Sequence, residues 1–165
     1  NGDNRPHDLN RLEIRICDSP STMQELASLV ALVQTLVVAL DERYDAGVTM
    51  PVLQPWIVRE NKWRAARHGL DADVISTNDG DHGPLRELIP RLVEKMQPIA
   101  DRLGCGHQLA AIPGQIDAGA SYERQRAAFG RSKRLPDVVA HVAREFRESV
   151  DAVPASAPVG GDGAA

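Results

Sequence analysis

Aromatic side chains are scarce in this sequence. Two Trp, two Tyr and two Phe make up 4% of its 165 residues, so aliphatic side chains must fill any core. Cysteine is equally rare. Cys17 and Cys105 form no metal-ligand spacing, and they read as reduced thiols of a cytoplasmic protein. A net charge of -4 gives no reason to expect nucleic acid or anionic lipid as a partner. Several catalytic signatures are missing: there is no phosphate-loop pattern, no GxGxxG, no HExxH and no GxSxG elbow. The five histidines are scattered. No signal peptide or internal repeat is visible. The longest apolar run, Leu26 to Leu40, contains Ser28, Gln34 and Thr35. It falls short of the about 20 apolar residues that span a bilayer, so no membrane is expected.

What remains is the composition of an ordinary globular chain, 42% hydrophobic and 25% charged, long enough for one domain with a real core. Residues 1–8 read as loop. The polar start without Met, followed almost at once by a strand, is expected of a chain that begins mid-protein. From Leu9 apolar and polar residues alternate. Leu12, Ile14 and Ile16 fall on one face of a strand, and Arg11, Glu13, Arg15 and Cys17 on the other. Ser19-Pro20 ends it. No other segment reads cleanly as a strand.

Helices follow. Ser21 with Gln24 three residues on has the pattern of a capping box. It opens a helix to about Leu40 or Tyr44 that is apolar almost all round, and is therefore expected to be buried on several sides. That helix needs a larger partner than one strand. A second helix carries Trp56 to Arg67 and stops at His68-Gly69, a left-handed cap. Trp56, Glu60, Trp63 and Arg67 share its face, with the tryptophans expected to pack. Leu70 to Ile75 is a short further element, and Ser76 to Gly83 a polar turn. Pro84 opens a third helix to about Leu103, where Pro90 and Pro98 bend or divide it. Weaker helices are expected around 107–117 and 122–129. A last one, Leu135 to Val150, has Val138, Val139, Val142, Phe146 and Val150 on its core side. Residues 9–151 form the domain, and 152–165 a disordered tail. Asn78-Asp79-Gly80-Asp81 lacks the terminal Glu of a calcium loop and reads as a solvated turn.

Two places could carry chemistry. Arg11, Glu13 and Arg15 project in parallel from one strand face, about 6.6 Å apart. A solvent-exposed strand with paired charges explains that pattern. So does a carboxylate holding a hard cation while guanidinium groups hold phosphate or a substrate carboxylate. Arg67 or Lys62 could likewise contact an anion, although packing and surface pairing account for that helix too.

The residues Leu12-Glu13-Ile14-Arg15-Ile16-Cys17-Asp18, followed by an apolar helix, resemble the catalytic strand of the glutamate–cysteine ligase type 2 family, the bacterial carboxylate–amine ligases. The run Pro55-Trp56-Ile57-Val58-Arg59-Glu60-Asn61-Lys62-Trp63-Arg64-Ala65-Ala66-Arg67-His68-Gly69-Leu70-Asp71-Ala72 resembles a long and specific segment of the same family. Pro84-Leu85-Arg86-Glu87-Leu88 and Ile99 to Cys105 are similar to its following helix. The strand motif is shared more loosely with glutamine synthetases.

The resemblance implies an α+β chain, the C-terminal part of a glutamine-synthetase-like catalytic fold, cytoplasmic, with a homo-oligomer left open. It implies ATP and magnesium (Mg2+) as cofactors. It also implies glutamate activated as γ-glutamyl phosphate and coupled to an amine such as cysteine, the chemistry of glutathione biosynthesis. Glu13 takes the metal-ligand position. Arg15 takes a catalytic position facing the phosphates or the glutamate, and Arg11 a nearby basic one. The family's other metal-binding carboxylates lie on earlier strands, outside these residues, so this chain alone is expected to be inactive. A different reading is a non-catalytic helical binding or interaction module derived from that family. A helical bundle unrelated to ligases would show no strand at Leu12 to Ile16.

Overall fold

Helix α1, Met23–Asp45, is capped by Thr22, whose hydroxyl accepts from the Glu25 backbone N–H at 3.1 Å. The Glu25 carboxylate reaches back to accept from the Ser21 N–H at 2.9 Å. The cap thus sits one residue later than the expected Ser21–Gln24 pair. A carboxylate at Glu25 is favoured over an amide at Gln24 by the positive end of the helix, and the Ser21 hydroxyl is engaged by Ser121 instead. This computed structural model describes residues 13–14, 17–49 and 52–153.

Elements follow in the order α2 (Pro55–His68), a 3-10 turn (Gly69–Asp71), β1 (Asp73–Ile75), β2 (His82–Pro84), α3 (Leu85–Arg102), α4 (Gly106–Ala110), α5 (Ile112–Asp117), α6 (Ser121–Ser132) and α7 (Leu135–Asp151). The fold is α+β with helix dominant, and the described strands form one antiparallel pair, with Val74 opposite Gly83.

Small side chains set the core. Ser28, Ala31, Thr35 and Ala39 are the buried residues of α1. They let α3 and α4 approach closely, with Val93, Met96, Ala100 and Leu109 filling the seam. Buried hydroxyls there are partnered: Ser28 donates to the Gln108 carbonyl at 2.8 Å, and Thr35 lies 3.8 Å from the Cys105 sulfur. The buried hydrophobic residues are all non-aromatic, as the shortage of aromatics requires. Pro90 and Pro98 lie inside α3 without dividing it.

Several expectations are corrected. The strand expected at Leu9 to Cys17 falls largely outside the described residues, and within it Glu13, Ile14 and Cys17 belong to no strand. A strand exists by pairing, and the two described strands pair with each other. The short element expected at Leu70 to Ile75 and the polar turn expected at Ser76 to Gly83 together form this hairpin. α1 is fully buried along one face only, not on several sides: α3 and α4 cover its small residues, and Leu32 and Leu36 beside them are half-buried against the same core. The apolar run is also part of a 23-residue helix, which by length and composition could cross a membrane. On α7, the expected core positions Val139, Phe146 and Val150 are exposed. The helix meets its neighbours through Ser149, whose hydroxyl accepts from the Met23 N–H at 3.0 Å, through Glu145, which pairs with Arg124 of α6, and along the expected positions Val138 and Val142, which are half-buried.

Candidate functional site

The longest motif of the sequence lies on α2. Pro55 occupies its first turn, where a missing N–H is tolerated, and Gly69 ends it at φ 59°. Ile57 is fully buried. Beside it, the Asn61 amide donates to the Ile75 carbonyl at 2.7 Å and accepts from the Ile75 N–H at 2.8 Å. Arg64 donates to the Asp73 carbonyl and to Glu60, both at 2.8 Å. The polar residues of the motif therefore pin β1, doing for its free edge what a further strand would do. Asn78 ties the hairpin turn to the preceding loop by bonds to Gln54 N–H and the Val52 carbonyl. Trp56 and Trp63 are 51% and 57% exposed, so the packing expected of them is not found. The inward face of α2 is taken by Ile57, Asn61 and Arg64.

The end of the motif meets α6. The Tyr122 hydroxyl accepts from the Leu70 N–H at 3.1 Å. A Cβ on Gly69 would lie 2.5 Å from the Tyr122 ring, so glycine is required here both by the left-handed backbone and by this approach. Arg86 joins three elements. It donates to Asp71 at 2.8 Å, to Glu123, and to the Ile116 carbonyl at 3.3 Å. Its pKa is raised, chiefly by the Asp71 hydrogen bond, and against partial desolvation. Arg124 bridges Glu25 of α1 and Glu145 of α7, at 2.7 Å each, and donates to the Gly119 carbonyl. Burial pulls the Arg124 pKa down, but the hydrogen bonds and charges of Glu25 and Glu145 outweigh it, and the net shift is upward. Neither arginine was singled out in the sequence. Arg86 lies in the Pro84-to-Leu88 segment that resembles the family, with no role attached to it, and Arg124 is one charge within a helical stretch.

A cleft of 590 Å³ opens at the N-terminal end of α1, lined among others by Asp18, Glu25, Gln115, Ser121, Tyr122 and Gln125. Its size suits a small molecule. Its walls are mostly apolar, with Leu29, Leu70, Ile112 and Ile116 among them, and the amides, hydroxyls and carboxylates supply a few hydrogen-bonding groups at fixed places. Glu25, one of its lining residues, is held by Arg124. The chain enters it through Asp18, Ser19 and Pro20, directly after the motif that contains Glu13 and Arg15.

Of the site residues expected from sequence, Arg11 and Arg15 lie outside the described residues. Glu13 is exposed. Arg67 is exposed near the end of α2 and joins no ion pair among the described residues. Magnesium can be tested against the donors present: among the described residues no three His, Cys, Asp or Glu side chains are gathered to hold a metal. Glu13 with its described neighbours does not by itself complete a magnesium site, and no step is derived through the metal.

The model of glutamate-cysteine ligase family 2 matches residues 1–150. The chain belongs to that family. A protein of Rhodococcus jostii named "Putative glutamate--cysteine ligase 2-2" is 51% identical over 115 residues, 70% of this chain and 31% of the relative. One of Nocardioides sp., named "Putative glutamate--cysteine ligase 2-3", is 47% identical over 140 residues, 84% of this chain and 37% of the relative. One of Thermobifida fusca, "Putative glutamate--cysteine ligase 2", is 41% identical over 155 residues, 93% of this chain and 39% of the relative. The chain thus spans about a third of the length of the curated family members it matches.

Proposed function

We propose that these residues are the C-terminal part of an ATP-dependent carboxylate–amine ligase with a glutamine-synthetase-like catalytic fold. It activates the γ-carboxylate of glutamate and joins it to an amine such as cysteine, in the cytoplasm. The observation that carries this reading is the family match across residues 1–150. In the same reading Glu13 is one ligand of a magnesium site whose other carboxylates lie elsewhere in the protein, and Arg15 and Arg11 neutralise phosphate charge. The α2 motif with Arg86 and Arg124 holds the cleft at Asp18 in shape. This chain alone does not turn over.

The test is a chimaera in which the 155 matched residues replace their counterpart in the Thermobifida fusca relative. Expected is ADP release that depends on both glutamate and an amine, absent from the 165-residue chain and abolished by Glu13→Ala. Full turnover in the Glu13→Ala chimaera would defeat the metal assignment. ADP release independent of any amine would defeat the ligase reading.

A further inference from the structure

α1 carries two stripes. Ser28, Ala31, Thr35 and Ala39 form the buried one. Leu26, Val30, Val33, Val37, Leu40 and Tyr44 form the other, at spacings of four and three residues. At about 3.6 residues per turn the two stripes lie on opposite sides of the helix. The second is open: Val33 is half-buried, and the other five are between 39% and 78% exposed. A row of Leu, Val and Tyr, largely open to water along a helix of six turns, is a patch that folded proteins cover.

We propose that this open stripe seats the part of the family's polypeptide that lies outside the matched third, making α1 the middle layer between α3–α4 and that part. The inference rests on family membership and not on the ligase reading. Three observations carry it. The family members extend well beyond the matched segment, which is only 31–39% of their length, so a partner of sufficient size exists within the same kind of protein. The two faces of α1 differ in size, as for a helix packed on both sides: small residues, Ser28 and Thr35 with partnered hydroxyls among them, meet helices closely, and the large aliphatic ones offer area. The layer behind α1 ends in charge, because Glu87, Arg91, Glu94 and Lys95 of α3 are exposed. That argues against lipid around the helix.

Thiol labelling tests it. Val37→Cys is made in the 165-residue chain and in the Thermobifida fusca chimaera. Lys95→Cys on α3 serves as a control, and peptide mapping separates the introduced thiol from Cys17 and Cys105. Expected is free reaction at position 37 in the monomeric chain and at least tenfold slower reaction in the chimaera, with position 95 open in both. Equal rates in chain and chimaera overturn the proposal. So does protection in the isolated chain accompanied by a dimer mass, which makes a second copy the occupant. Protection of the isolated chain only on phosphatidylglycerol vesicles makes lipid the occupant and also overturns it. Independently of the chimaera, Val30→Asp with Val37→Asp should leave the Tm of the isolated chain unchanged. A clear fall would mean that the stripe already has a partner inside this chain. Labelling protection without ADP release would leave the docking face standing and defeat the ligase reading alone.

Discussion

The same helix is joined to its neighbours in two ways. Along its middle, α1 meets α3 and α4 through Ala31, Thr35 and Ala39 against Val93, Met96 and Leu109. At its N-terminus it meets α6 and α7 through Glu25, Arg124 and Glu145. The seam is non-directional, and its worth is the apolar area taken from water. The junction is directional. Three half-buried charges contribute little net stability once desolvation is counted, but they admit only one arrangement of the helices. That arrangement shapes the cleft beside Asp18. Stability is thus concentrated in the seam, and the geometry of the candidate site in the junction.

Leu109→Ala breaks the comparison most strongly. The side chain is fully buried in the seam, and its truncation leaves a cavity costing about 3 kcal/mol. Urea unfolding should show this as a fall in midpoint without change in slope. Next comes Arg124→Ala, which leaves Glu25 and Glu145 facing each other. The three side chains are about a fifth exposed, so the loss should be near the low end for a broken buried pair, about 2–3 kcal/mol. Adding Glu25→Gln and Glu145→Gln should return most of that loss, which no partner change could do for Leu109→Ala. Because the folded-state pKa of Arg124 is raised, its contribution is fully present below the ordinary arginine value. It is lost only as pH rises through the raised one, far into alkali. The deficit of Arg124→Ala should therefore be the same at pH 7 and pH 9. A deficit that shrinks at pH 9 would mean that another group controls the junction.

Tyr122→Phe sharpens the contrast on a smaller scale. It removes the hydroxyl that accepts from Leu70 N–H while keeping the ring against Gly69. The expected loss is about 1 kcal/mol in thermal unfolding. Any probe of the cleft should respond more than the global Tm does, because Tyr122 lines it.

The α3 side of the seam was legible in the sequence; its α1 side, made of small residues, and the junction were not. Periodicity marks α1 and α3, and Leu88, Leu92 and Met96 recur at helical spacing whatever they touch. The α2 segment announced itself by its length, and the stop at Gly69 was readable from glycine after a cationic turn. What its residues do was not readable. Asn61 and Arg64 serve the hairpin, while the more conspicuous tryptophans face outward. Hydrogen bonds across 14 or 99 residues, such as Asn61 to Ile75 or Arg124 to Glu25, leave no periodic trace. For the same reason β1 and β2 were missed: three residues each are too few to show alternation. On α7 the helix is legible but its exposed positions Val139, Phe146 and Val150 are not, because apolar spacing shows that a face is apolar, not that anything among the described residues covers it.

The smallest effect lies at the corner where α6 passes to α7 on the junction side. Lys133 caps α6 in the left-handed conformation, φ 58°, with its N–H bonded to the Phe129 carbonyl at 2.7 Å. A side chain at this backbone is disfavoured by about 1 kcal/mol, and glycine removes that strain. Two terms oppose the gain. Lys133 sits with its ammonium 6.0 Å from the centre of the Phe129 ring, a contact of about 0.5 kcal/mol at an exposed site, and glycine adds freedom to the unfolded chain. Lys133→Gly should therefore change stability by less than about 0.5 kcal/mol, in either direction, in urea unfolding. Lys133→Met separates the terms, since it keeps the backbone strain and loses the charge over the ring. If Lys133→Gly is stabilising and Lys133→Met is not, backbone strain governs this corner. The polar junction is then held against a local conformational cost that the α1–α3–α4 seam, built entirely of regular helix, does not carry.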